Sequence, residues 1–230
     1  MRERGDLHCF HEPFIHYYYV HLGVKKLSHF DADTNQSTEF DDIVNNLKQH
    51  ALSEPVFFKD MSYYVVPKIF ESEDLVNLIK HVFMIRDPRK SILSYYKLDT
   101  DIICDEIGLE AQWRHLEWIR NATGTTPVVL EAETIQQDPQ KTMSILWEKL
   151  NLPFVERAFE WQNNETPEDW QQVAGWHETA SSSTAIEPTQ LENESDIQMR
   201  FDKVAKDAPQ LKQYLEHHWP YYQRLKNLAL

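Results

Sequence analysis

Glycine and cysteine are the rarities of this chain, with five of the former and two of the latter in 230 residues. So little glycine excludes a collagen-like repeat and argues against a small all-β protein built on Gly/Pro turns. Cys9 and Cys104 show no CxxC spacing and no partner histidine set, so neither a disulfide framework nor a metal site is expected. Long apolar runs are missing too. The longest, such as 81–85 and 127–130, are strand-sized, so no segment is expected to cross a bilayer. No charged-then-apolar signal segment opens the chain, which makes the cytoplasm the default location. The Asn-x-Ser/Thr sequons at Asn35, Asn121, Asn164 and Asn193 mean little without a secretory route.

Positive charge is also in short supply. Lys and Arg number 23 against 37 Asp and Glu, a formal charge of -14. Such a field repels polyanions, so neither nucleic acid nor an anionic membrane is an expected partner. An anionic small molecule has to be met by a local cluster of Lys and Arg. What the chain does have is enough apolar and aromatic residues, 41% hydrophobic in all, for one sizeable core, and a single domain over 1–230 is expected.

The pattern along the chain alternates strand and helix. Strands are expected at 7–10, 55–58, 81–85 and 127–130, and amphipathic helices at 39–52, 71–79, 89–98, 110–122, 140–150 and 211–229. Asp87-Pro88 and Asp138-Pro139 each read as an N-cap followed by proline at the first helical position. Residues 1–5 read as the tail of a helix closed by Gly5, and 161–190 as a long polar loop. Short buried strands alternating with helices imply parallel pairing with helices on both faces, an α/β fold whose ligands bind at the carboxyl ends of the strands.

The segment 81–98, HVFMIRDPRKSILSYYKL, carries the most chemistry. A strand delivers Arg86 to its carboxyl end, and the next helix brings Ser94 back over the same edge. A planar guanidinium assisted by a hydroxyl suits a phosphate monoester. The plain alternative is that Arg86 pairs with Asp87 or another carboxylate and Ser94 lies on a helix surface. Glu12, just past the first strand, is placed where a carboxylate can reach an acceptor hydroxyl; as a structural residue it caps a helix or pairs with Lys59. The aromatic run Phe14 and Tyr17 to Tyr19 reads as core, with the lining of an acceptor pocket beside Glu12 as the alternative. Histidines are frequent, but His8, His11, His16, His21 and His217-His218 match no compact zinc spacing, and neighbours on a strand or helix diverge.

An Arg followed seven residues later by Ser-Tyr-Tyr, after an apolar strand, resembles the 3′-phosphate motif of the sulfotransferase family. With it stand His11-Glu12-Pro13-Phe14, Lys59-Asp60-Met61, the stretch 128–139 and Tyr221-Tyr222, in the order seen in a microbial subgroup of that family. The resemblance implies a three-layer parallel sheet with helices on both faces, P-loop nucleoside triphosphate hydrolase-like, and 3′-phosphoadenosine 5′-phosphosulfate as co-substrate. It implies Arg86 and Ser94 as 3′-phosphate ligands, and transfer of sulfonate to a hydroxyl or amine of a small-molecule acceptor.

Some branches of the family carry a histidine base where this chain has Met61, which moves the base role to Glu12, with His11 in reserve and Lys59 on the sulfonate or on Glu12. The stretch 176–186, WHETASSSTAI, resembles the nucleotide-side loop and adds Ser183 and Thr184 as candidate phosphate donors, against the plainer reading of a polar linker. The family's Pro-Arg-Ser-x-Ser-Thr loop, whose backbone N–H groups hold the 5′-phosphosulfate, has no counterpart in these 230 residues. The expectation is therefore an N-terminally incomplete domain, inactive as it stands. Two rivals remain: a non-catalytic nucleotide-binding or interaction protein that has lost the loop, and a kinase, for which the required Gly-rich Lys-Ser/Thr loop is missing.

Overall fold

The computed structural model describes residues 1–161 and 167–230; the sequon at Asn164 lies outside the described residues. In chain order the regular elements are β1 (His8–His11), α1 (Phe40–Ala51), β2 (Val56–Lys59), α2 (Ser62–Val65), α3 (Glu73–Leu78), β3 (Val82–Ile85), α4 (Pro88–Leu98), α5 (Leu109–Thr123), β4 (Val128–Glu131), α6 (Ala132–Gln137), α7 (Pro139–Lys149), α8 (Glu178–Ser181), α9 (Glu194–Ala205) and α10 (Gln210–Lys226). The protein is mixed α/β, and its strands pair in parallel. They do so as two separate pairs in two compact units: residues 1–65 with 155–186, and residues 66–154 with 187–230.

In the first unit β1 runs beside β2, in register from His8 opposite Val56 to His11 opposite Lys59. The helix α1 between them turns Phe40, Ile43, Val44 and Leu47 inward at helical spacing and keeps Asp41 and Asp42 in its first turn, where carboxylates complement the helix dipole. Phe14, Ile15 and Tyr17 to Tyr19 are buried with Tyr63 and Tyr64 of α2, as a core reading of that aromatic run requires. A short 3-10 turn, Arg2–Arg4, ends at Gly5 with a left-handed φ of 70°, the C-terminal cap that its glycine suggested. The polar stretch expected as one loop is more ordered than its composition implies. It contains a 3-10 segment at Glu168–Trp176, the helix α8, and an antiparallel bridge between Glu160 and Ala185.

In the second unit β3 and β4 pair in register from Val82 opposite Val128 to Ile85 opposite Glu131. Both expected proline-led helices start as their caps dictate: the Asp87 carboxylate accepts from the Arg89 N–H in α4, and that of Asp138 from the Lys141 N–H in α7. Phe83, Ile85 and Val129 of the strands pack with Leu116 and Ile119 of α5 and Tyr222 and Leu225 of α10. A second cluster joins Ile92 of α4 to Phe201 of α9 and Leu211 of α10. The helix α9 had no counterpart among the expected elements. Its inward positions are only Ile197, Phe201 and Ala205, too thin an apolar stripe to stand out from the polar residues before it.

Candidate active site

The carboxyl ends of β1 and β2 gather the first group of functional side chains. Glu12 follows β1 directly and takes a left-handed backbone, φ 46°, a conformation that costs a non-glycine residue about 1–2 kcal/mol. The ladder imposes it: the Glu12 N–H donates to the Lys59 carbonyl at 2.7 Å, and the Glu12 carbonyl accepts from the Ile15 N–H at 3.0 Å. Adjacent side chains on a regular strand point to opposite faces. The left-handed turn breaks that alternation, and His11 Nε2 lies 3.6 Å from Glu12 Oε1.

The buried Glu12 carboxylate has two partners. Lys59 Nζ donates to Oε1, and the Tyr64 hydroxyl donates to Oε2 at 3.2 Å. Burial works to raise the Glu12 carboxyl, but the Lys59 charge, then His11 and the Lys59 hydrogen bond, outweigh it and hold the group below its ordinary value. It is therefore ionised at neutral pH. The next residue but one after Lys59, Met61, has its sulfur 3.8 Å from Nζ and offers no proton-accepting group comparable to an imidazole. Asp60 accepts from the backbone N–H groups of Phe14 and Met61, both at 2.9 Å, and so ties the chain after β1 to the chain after β2. Burial, with Glu12 adding to it, pushes the Asp60 carboxyl up to about 8.

A residue outside the expected set completes this group. His177, just before α8, brings its Nε2 to 2.8 Å from Nε2 of His11, and the Trp170 ring packs against both imidazoles with centroid separations of 5.1 and 4.7 Å. Burial pushes His11 down to about 3 and lowers His177 as well, so both rings are neutral at pH 7. Because 166 positions separate the two histidines, no spacing rule connects them. The available signal was the stretch WHETASSSTAI, singled out for its Ser-Thr pair and not for its histidine. Ser183 and Thr184 belong to this first unit. The Ser183 hydroxyl donates to the Ala180 carbonyl at 2.8 Å, and the Thr184 carbonyl accepts from the Trp161 N–H at 2.9 Å.

The second unit holds Arg86 and Ser94. Arg86 follows β3 directly, half-buried, and Ser94 lies exposed on α4, two turns on from Asp87. The structural alternative had Arg86 paired with Asp87. Asp87 instead binds Arg89, at 3.0 Å through Nε and through Nη2 as well, while Arg89 also reaches Glu194 at 2.6 Å. The next cation, the buried Lys90, lies between Glu133 at 3.4 Å and Glu192 at 3.3 Å. Among the described residues Arg86 has no hydrogen-bond or ion-pair partner, and its five donors remain available to a ligand. Arg86 and Ser94 belong to the second unit, with no hydrogen bond between them; Glu12, Lys59 and His11 meet in the first.

A sulfotransferase domain model matches residues 1–208, and the chain belongs to that family. Two relatives from Arabidopsis thaliana are similar over part of their length. Branched-chain-amino-acid aminotransferase-like protein 2 is 26% identical over 136 residues, 59% of this chain and 24% of the relative. Branched-chain-amino-acid aminotransferase-like protein 1 is 27% identical over 113 residues, 49% of this chain and 20% of the relative. The aligned part thus spans a quarter or less of those proteins. No solved structure matches the chain.

Proposed function

We propose that this chain carries the machinery of a sulfotransferase that uses 3′-phosphoadenosine 5′-phosphosulfate and a small-molecule hydroxyl or amine acceptor. The observation that carries the reading is Arg86: a guanidinium at the carboxyl end of a parallel strand, without a protein partner among the described residues, in a chain whose other nearby cations, Arg89 and Lys90, are matched to carboxylates. Its fork suits two oxygens of the donor's 3′-phosphate, with the Ser94 hydroxyl adding a neutral hydrogen bond. The resemblance to the family adds Ser183 and Thr184, in the first unit, as candidate phosphate donors. The donor supplies the sulfonate. Glu12, ionised, takes the proton from the acceptor as its oxygen or nitrogen bonds to sulfur, Lys59 holds that carboxylate and faces the sulfonate, and His11 stands beside them as the reserve base.

The finer fold that goes with this reading is one domain with a three-layer, P-loop-type parallel sheet, and the proposed setting is the cytoplasm. No helix among the described residues is long and apolar enough to cross a membrane. A second reading, a nucleotide-binding protein without transfer, is favoured by one observation: the Glu12 carboxylate already accepts from Lys59 and Tyr64, which lowers its appetite for a proton. Calorimetry with 3′-phosphoadenosine 5′-phosphate and with AMP tests the shared nucleotide site. Clear preference for the 3′-phosphorylated nucleotide is expected; equal affinity defeats both readings. A labelled-donor assay with a panel of acceptors then separates them.

A further inference from the structure

The meeting of His11, Glu12 and His177 does more than the proposed transfer requires. One ring nitrogen from each of His11 and His177 and a Glu12 carboxylate oxygen all lie within 4.8 Å of one another. Two imidazole nitrogens at 2.8 Å hold one proton between them, one ring donating and the other accepting. With the donating ring in its other tautomer, the proton moved to Nδ1, both Nε2 lone pairs are free for a metal ion at once. We propose that these three side chains form a binding site for a divalent transition-metal ion of the zinc type, with Glu12 Oε1 as the third ligand.

The two separations from His11 Nε2 fit. Tetrahedral zinc with bonds of about 2.0–2.1 Å to nitrogen and oxygen sets its ligand atoms about 3.3 Å apart. The imidazole nitrogens must part by about half an ångström from their 2.8 Å contact, and the 3.6 Å from His11 Nε2 to Glu12 Oε1 must close by less. The backbone also fits. Only the left-handed turn at Glu12 puts the side chains of consecutive residues 11 and 12 on one side, a conformation with a cost that needs a local return. Two nitrogens and a carboxylate are a donor set suited to zinc, cobalt or copper rather than to magnesium or calcium. The Tyr64 hydroxyl on Glu12 Oε2 orients the carboxylate from outside, as an outer partner of a metal ligand does, and the Trp170 ring walls both imidazoles.

One competitor stands in the way. Lys59 Nζ shares Glu12 Oε1, so the ion and the ammonium are alternatives on the same oxygen. The Lys59 side chain is 34% exposed and can swing to solvent, whereas those of His11 and Glu12 are 8% and 7% exposed and stay. A bound ion also removes Glu12 as a proton acceptor, so the same metal inhibits any transfer that uses this carboxylate. Binding itself does not depend on whether the chain transfers sulfonate.

The experiment is a titration of the metal-free full chain with Co²⁺, followed by visible absorption, then displacement by Zn²⁺. One equivalent is expected to give the intense bands of four-coordinate cobalt. His177→Ala should weaken binding at least tenfold, and Lys59→Met should strengthen it, because the competing ammonium is gone. Far-UV circular dichroism of both variants checks that they fold, and Lys59→Met keeps the test decisive if His177→Ala does not. Absence of stoichiometric binding overturns the proposal, as does affinity indifferent to both substitutions. So does loss of binding on Cys104→Ser with a thiolate-to-cobalt charge-transfer band, which places the ion at Cys104, His217 and His218 in the second unit instead.

Discussion

The two parallel strand pairs end in opposite electrostatic conditions. Past β1 and β2 the polar groups are matched internally: Lys59 on Glu12, Tyr64 on the same carboxylate, His11 against His177. Past β3 the first cation, Arg86, has no partner among the described residues, while Arg89 and Lys90 behind it each bridge two carboxylates. A charge left without a partner at a strand end is placed for a ligand that arrives from solution. Charges that hold one another are placed to position and poise a reacting group. The difference is what the proposed roles require: an anion-binding Arg86 in the second unit and a proton-accepting Glu12 in the first.

The sharpest way to break this division is at Glu12. Glu12→Gln keeps the shape and the Tyr64 contact but loses basicity, and in a preparation that turns over it should depress kcat by about two to four orders of magnitude with nucleotide affinity nearly unchanged. If nucleotide affinity falls instead, the division is wrong; if turnover survives, His11 becomes the base to test. Arg86→Ala probes the other side. Loss of a charge-assisted contact worth about 1.5–3 kcal/mol should remove about 10- to 100-fold of the affinity for 3′-phosphoadenosine 5′-phosphate and none of that for AMP, measured by calorimetry.

His115 sharpens the comparison from within the second unit, because it too lacks partners but is buried. Both of its ring nitrogens are without a hydrogen bond among the described residues, and the rings of Phe83, Trp118 and His81 surround it. Burial, with His81 adding to it, pushes it down to about 3. Its folded-state value thus lies below that of the unfolded chain, near 6.5, so the unfolded state binds more protons and stability falls as pH drops through 6.5. Denaturant midpoints at pH 7 and pH 5 should differ by about 2 kcal/mol of unfolding free energy from this residue, and His115→Phe should flatten the dependence. An unchanged slope in that variant removes His115 as the cause. The smallest effect is expected at Ser94. Ser94→Ala deletes one neutral donor and should weaken 3′-phosphate binding by about 1 kcal/mol, less than Arg86→Ala.

Local chemistry made much of this legible before any coordinates. Asp87-Pro88 and Asp138-Pro139 announced two helix starts, and their side chains make the capping bonds that the residue types require. The strands fell within a residue or two of their expected places because apolar runs between turn residues are local signals. The helix α9 and the 3-10 segment Glu168–Trp176 were not legible, since both lie in polar sequence and depend on a few long-range contacts.

By itself, the sequence determined the family, the parallel α/β character and which side chains were worth watching: Arg86 and Ser94 after one strand, Glu12 after another, Lys59 at the end of a third. The α/β alternation follows from spacing along the chain; the family and its candidate side chains follow from the resemblance of the motifs. Only the tertiary structure decided which of those charges are matched and which is open. Asp87 turned to Arg89 and left Arg86 without a partner among the described residues; Lys59 closed on Glu12; His177 crossed 166 positions to meet His11. Pairing is a property of distance in space, and chain separation carries almost none of that information once a loop has closed.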